Sequence, residues 1–175
     1  MSVKGKRVLI TGSSHGIGAA TAIAFAKEGC SIGLNYNRNP EGAAATAAKI
    51  RELGAPVEIY KADVALSEDC EAMVNTFIQR FGGIDVLVNN AGGALKIPRG
   101  EFIDMPVEYW NDQINLNLNA AAYTSRIAVR NMIENKVRGK IINVSSIHSI
   151  VTWVKRKMLP YCAGKDGLNM FTKAL

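Results

Sequence analysis

Apolar positions along the chain follow two different periods. Short runs rich in β-branched residues, at Arg7 to Ile10, Ser31 to Tyr36, Val57 to Lys61, Ile84 to Val88 and Lys140 to Val144, read as strands. Between them, a period of about 3.6 predicts helices over Gly16 to Glu28, Glu41 to Leu53, Ser67 to Phe81 and Val107 to Val137. A last helical stretch runs from about Tyr161 to Leu175. The strand runs are nearly continuous in apolar residues, as expected of strands covered on both faces. The order βαβαβαβαβα predicts an α/β fold with a doubly wound parallel sheet. No internal repeat, low-complexity tract or linker interrupts the pattern, so residues 1–175 read as a single domain.

Composition narrows the setting. With 48% apolar and 21% charged residues, the chain is not a mostly disordered one. Asn, Lys, Arg or Gly interrupts every apolar run well short of the roughly 20 residues that a membrane helix needs. The segment from Met1 to Arg7 enters the first strand directly, with no apolar stretch of the signal-peptide kind. The three cysteines, Cys30, Cys70 and Cys162, are far apart and lack CxxC spacing. They predict neither a disulfide scaffold nor a zinc site, and point to a reducing cytoplasm. The net charge of +6 raises nucleic acid as a partner, but no helix-turn-helix, zinc pattern or aromatic–basic interleaving supports it.

The first strand leads into Thr11-Gly12-Ser13-Ser14-His15-Gly16-Ile17-Gly18, which opens an alanine-rich helix. A strand, a glycine-rich turn and a helix N-terminus together form an anion site. Glycines let the backbone approach a pyrophosphate, while free N–H groups and the helix dipole favour negative charge. The GxxxGxG spacing predicts dinucleotide binding by Gly12, Ser14, His15, Gly16, Ile17 and Gly18. At the end of the second strand an acid would suit NAD, through its ribose 2′-hydroxyl, and an arginine would suit a 2′-phosphate. The chain has Asn35-Tyr36-Asn37-Arg38-Asn39 there, with no acid before Glu41. Arg38 can contact phosphate bidentately, so Asn37 and Arg38 predict a preference for NADP(H), with NAD(H) as the alternative.

Two further features place reactive groups at the same sheet edge. Asn143-Val144-Ser145-Ser146 sets two hydroxyls at the C-terminal end of the fifth strand, where open α/β sheets bind ligands. Either could be the catalytic hydroxyl, but strand alternation points the side chains of Ser145 and Ser146 to opposite faces. Tyr161 and Lys165 are four residues apart and share one helix face. A nearby cation favours phenolate, which would bring the tyrosine toward the range useful for exchanging a proton with a carbonyl or an alcohol.

These motifs, in this order, resemble the short-chain dehydrogenases/reductases along the whole chain. The resemblance rests on Thr11-Gly12 with Gly16-Ile17-Gly18, Asp63-Val64, Asn89-Asn90-Ala91-Gly92, Trp110 followed by Asn117, Ser145-Ser146, and Tyr161-x-x-x-Lys165. It implies a Rossmann-fold oxidoreductase with an Asn117–Ser146–Tyr161–Lys165 tetrad. Tyr161 would be the acid/base, Ser146 would orient the substrate oxygen, and Lys165 would hold the nicotinamide ribose. Asn117 would anchor a water in a proton relay. Asp63 and Val64 would meet the adenine, and Asn90, Ala91 and Gly92 would line the cofactor near its ribose. In relatives the long helix and the tyrosine-bearing one pair across subunits, so a homo-oligomer, a tetramer, is implied.

The activity so implied is NADP(H)-dependent interconversion of a small-molecule carbonyl and secondary alcohol. Ser145-Ser146-Ile147-His148 with Trp153 resembles glucose 1-dehydrogenase-like members, and the general pattern also resembles 3-oxoacyl-carrier-protein reductases. The alternative from another class is a catalytically silent nucleotide-binding scaffold on the same fold. Between Ser146 and Tyr161 the chain carries Lys155-Arg156-Lys157, which would attract anionic substrates or simply be a solvated surface. The sequence stops at Leu175, inside the helix of Tyr161, where members of the family continue, so the chain reads as C-terminally incomplete.

Overall fold

The computed structural model describes residues 2–96, 101–151 and 158–175. Five strands, β1 (Arg7–Ile10), β2 (Ser31–Tyr36), β3 (Val57–Lys61), β4 (Val86–Asn89) and β5 (Lys140–Asn143), form one parallel sheet in the order β3-β2-β1-β4-β5. The helices α1 (Gly16–Lys27), α2 (Pro40–Glu52), α3 (Ser67–Phe81), α4 (Val107–Ile114), α5 (Ala120–Glu134) and α6 (Leu159–Ala174) connect and flank them. This is the predicted α/β, Rossmann-like arrangement. Val8, Ile10, Ile32 and Leu34 face α1 and α2 through Ala22, Ala26, Ala47 and Ile50. Leu9 and Leu87 face α3 and α5 through Val74, Phe77, Ile127 and Ala128. Alternate strand residues thus feed two cores, which is why the middles of these runs are apolar.

Local chemistry sets the element ends. Asn39 caps α2 by accepting the Gly42 N–H at 2.9 Å, with Pro40 in the first turn where a missing N–H costs nothing. Gly82, at φ 76°, stops α3 at its predicted end. The strand expected from Ile84 begins two residues later, although the Asp85 N–H already donates to Arg7 O at 3.0 Å and its carbonyl accepts from Lys140 N–H at 2.9 Å. Its carboxylate accepts from the Arg7 backbone N–H at 2.9 Å and from Arg7 Nε at 2.6 Å.

Two expectations are corrected. The single helix expected over Val107 to Val137 is interrupted by a π-helical turn, Asn115–Asn119, and ends at Glu134. Lys136 there takes φ 54° and Val137 N–H closes back on Met132 O at 2.8 Å, which stops the helix. Coverage on both faces holds for β1, β2 and β4 but not for β5, where Lys140 and Ile142 are exposed. Among the described residues β5 pairs with β4 alone. Among the described residues no helix is long and apolar enough to cross a membrane, and no cluster of His, Cys, Asp or Glu is arranged to hold a metal.

Candidate active site

The strand order reverses between β1 and β4, and the chain leaves those two strands in opposite directions. The crevice this opens at their C-terminal ends is where open α/β sheets bind ligands. A cavity of about 790 Å³ lies there, within the usual range for a cofactor site. Gly12 and the Ser14–Ile17 turn line one side of it, and Asn90 to Gly93 line another.

The glycine turn is shaped for close approach. Gly12 sits at φ 61°, and a Cβ there would come within 2.8 Å of Ala91 Cα. At Gly18 a Cβ would meet Asn90 Nδ2 and Gly12 O at 2.5 Å. Thr11 Oγ1 accepts the N–H groups of both Asn90 and Ala91 at 3.0 Å, and Asn90 Nδ2 donates back to Thr11 O at 2.9 Å, so the two loops are locked together. At the start of α1, His15 has an extended backbone and caps nothing with its side chain, and the first turn holds no acid. The orphan N–H groups and the positive end of the helix dipole therefore face the cavity uncompensated, as an anion requires.

Tyr36, Asn37, Arg38 and Asn39 form the wall beyond the end of β2. Arg38 is exposed there and makes no ion pair among the described residues. Asp63 completes this wall, its Oδ1 accepting the Ala65 N–H at 3.0 Å.

At the opposite end of the cavity stand Tyr161 and Lys165 of α6. Pro160 in the first turn starts that helix, and the spacing of four puts phenol and ammonium on one face. Lys165 is 4% exposed, and its Nζ donates to Val144 O at 2.8 Å. Burial disfavours the charged ammonium and holds its pKa below the ordinary lysine value. Gly92, at φ 159°, leaves room in which a Cβ would lie 3.0 Å from Asn117 Oδ1 and 3.1 Å from Lys165 Nζ. Gly164 likewise lets α6 approach Asn117, whose Cβ would lie 3.1 Å from a Cβ at that glycine. Asn117 occupies the π-turn with its carboxamide fully committed. Oδ1 accepts from Gly93 N at 2.9 Å, and Nδ2 donates to Gly93 O at 3.0 Å and to Gln113 O at 3.0 Å. π-Turns inside helices often mark functional sites.

The serine pair is sorted by hydrogen bonding and not by strand alternation, because β5 ends at Asn143, before the pair. Ser145 lines the cavity and donates its hydroxyl to Lys165 O at 3.2 Å. Ser146 caps the short 3₁₀ turn Ile147–Ser149, its Oγ accepting the His148 N–H at 3.2 Å. The His148 ring stands edge-on to Tyr161, centroids 6.2 Å apart, which places the Ser146 turn beside the phenol.

The family described as short chain dehydrogenase matches residues 6–175. The chain belongs to that family. It is 38% identical over 173 residues to 3beta-hydroxysteroid dehydrogenase 1 of Eggerthella lenta, an alignment covering 99% of this chain and 64% of that protein. It is 33% identical over 173 residues to glucose 1-dehydrogenase 2 of Bacillus subtilis, covering 98% of this chain and 65% of that one. Among solved structures, the NADPH-dependent 3-quinuclidinone reductase from Rhodotorula rubra superposes with a TM-score of 0.91 at 28% identity, covering 99% of this chain and 64% of that one. The NADH-dependent reductase A1-R′ complexed with NAD gives 0.87 at 31% identity, covering 98% of this chain and 72% of that one. The chain thus spans about two thirds of the length of the relatives it matches.

In this member of the family, the fold gathers most of the residues singled out in the sequence. Gly12, Ser14, His15, Gly16, Ile17, Asn37, Arg38, Asp63, Asn90, Ala91, Gly92, Tyr161 and Lys165 all line the one cavity. Gly18 lies buried beneath the turn instead, and Val64 is in the core with its carbonyl accepting from Cys70 Sγ. Neither lines the cavity, and nor do Asn117 and Ser146, whereas Ser145 does. The run Lys155-Arg156-Lys157 and Trp153 lie outside the described residues. Sequence reasoning missed Asp112 and Leu116 at the rim, and Gln113 behind Asn117. Only the helical spacing of Gln113 and Asn117, four apart, hinted at that last pairing.

Proposed function

We propose that the chain binds NADP(H) in this cavity and interconverts a carbonyl and a secondary alcohol, with Tyr161 exchanging the proton. One observation carries the reading: the glycine turn, Arg38, Tyr161 and Lys165 all line a single cavity. The residues fit the cofactor, since Gly12 and Gly18 let the glycine turn pack directly on Asn90 and Ala91, Gly16 opens on free space at the cavity, and the α1 N-terminus presents uncapped N–H groups. When bound, the nicotinamide supplies or accepts a hydride. The protein's part is to handle the proton and hold the oxygen. Tyr161 gives its phenolic proton to the carbonyl oxygen in reduction and removes one from the alcohol in oxidation. The family resemblance assigns Ser146 as the orienting hydroxyl, on the turn whose His148 ring stands beside Tyr161, although Ser145 is the serine that lines the cavity. Ser145 has spent its proton on Lys165 O. Lys165 holds the ribose from beside Gly92, and the π-turn backbone, the Asn117 carboxamide being committed, holds the relay water.

Arg38 supports NADPH over NADH, as a cation without a carboxylate partner on the wall that would face a 2′-phosphate. Equilibrium titration of both reduced cofactors against wild type and Arg38→Asp tests this. NADPH is expected to bind more tightly to wild type, and Arg38→Asp to lose about tenfold in NADPH affinity while NADH is nearly unaffected. Equal affinities, unmoved by the substitution, would sink the preference. A 3β-hydroxysteroid and glucose, taken from the names of the two relatives, are the first alcohols to try.

A further inference from the structure

We infer that Asn35, which does not itself line the cavity, is the positioning residue that fixes three of its walls to one another. The inference rests on the dinucleotide reading above. Asn35 is 2% exposed, one residue before the end of β2. Its Oδ1 accepts the Gly12 N–H at 3.0 Å, and its Nδ2 donates to Ala62 O at 3.1 Å. Its backbone is tied to the same turn, with Asn35 N–H donating to Ser13 Oγ at 3.0 Å and Asn35 O accepting from Ser13 N–H at 2.8 Å. One carboxamide therefore joins the glycine turn after β1 to the end of β3, from a position at the end of β2.

Each joined segment carries wall residues: Gly12 and Ser14 on the first, Tyr36 to Asn39 on the second, Asp63 and Ala65 on the third. The bond to Gly12 matters most. That residue holds a left-handed φ of 61°, and its N–H points at Asn35. Asn35 thus sets the shape of the turn and does not contact phosphate. The chemistry demands a carboxamide, which alone offers an acceptor and a donor from one branch point. Alanine or leucine leaves the buried Ala62 carbonyl and the half-buried Gly12 N–H without this partner. The turn then samples other shapes, and the apparent dissociation constant rises as the competent fraction falls.

The test is the dissociation constant of NADPH, and of 2′,5′-ADP, which lacks the nicotinamide, for wild type and Asn35→Ala. The expected result is a loss of about tenfold for both ligands at a temperature where the variant is fully folded. A purely structural role would lower the melting temperature and leave both constants unchanged, which would overturn the inference. A second measurement needs no variant: hydrogen exchange at the Gly12 amide in ligand-free wild type. Slow exchange is expected, and exchange at the rate of an open loop overturns the inference. Wild type that binds neither ligand would overturn the inference and the dinucleotide reading together. Wild-type binding with an unmoved variant overturns the inference alone.

Discussion

Gly12 and Gly16 both hold positive φ, 61° and 57°, yet their surroundings differ. At Gly12 a Cβ would strike the Ala91 backbone, whereas at Gly16 it would meet nothing within 4 Å. Gly16→Ala is therefore expected to cost only the backbone penalty, about 1 kcal/mol. Gly12→Ala adds a clash with main chain and is expected to cost at least about 2 kcal/mol and to abolish cofactor binding. Urea denaturation of the two variants measures the difference, and equal losses would show that the fit against Ala91 is unimportant. At this scale the glycines were legible in the sequence because their spacing is local. Asn35 and Gln113 were not, since their partners Ala62 and Asn117 are set by β3 and by the π-turn. Ser146 was picked out by the family resemblance, and strand alternation adds nothing to it, because β5 ends at Asn143.

Elements with strong periodicity and a chemical stop signal were read closely. The bounds of α3 coincide with those expected, Ser67 to Phe81, with the left-handed Gly82 just beyond. The π-turn was invisible, because Asn115-Leu116-Asn117-Leu118-Asn119 has no composition that separates it from ordinary helix. Just before β4, Asp85 ties that strand to β1. Burial raises the Asp85 carboxyl, but hydrogen bonds from the Arg7 side chain and backbone, with the Arg7 and Lys6 charges, outweigh it and hold the group below its ordinary 3.8. A carboxyl depressed in the folded state binds fewer protons there than in the unfolded chain. Its stabilisation is complete above the unfolded value and is lost as pH falls through the folded one. Asp85→Asn is expected to lower the melting temperature at neutral pH and to flatten the acid limb of the stability profile. An acid limb of unchanged slope would remove Asp85 from the account.

For the whole molecule, alternation of strand and helix foretold a parallel sheet with helices on both faces. The cavity was placed only by the strand order, since β1 and β4 become neighbours although α1 to α3 lie between them in sequence. That adjacency brings the glycine turn against Asn90 and Ala91, and Gly92 against Lys165. The central claim is that one cavity joins dinucleotide binding to proton exchange at Tyr161. The direct measurement compares wild type with Tyr161→Phe for NADPH affinity and for oxidation of the alcohols named above, followed by absorbance of the reduced nicotinamide. The account predicts equal affinity and turnover lowered by about a thousandfold in the variant. Turnover that survives the substitution, or wild type that binds no NADPH, would contradict it.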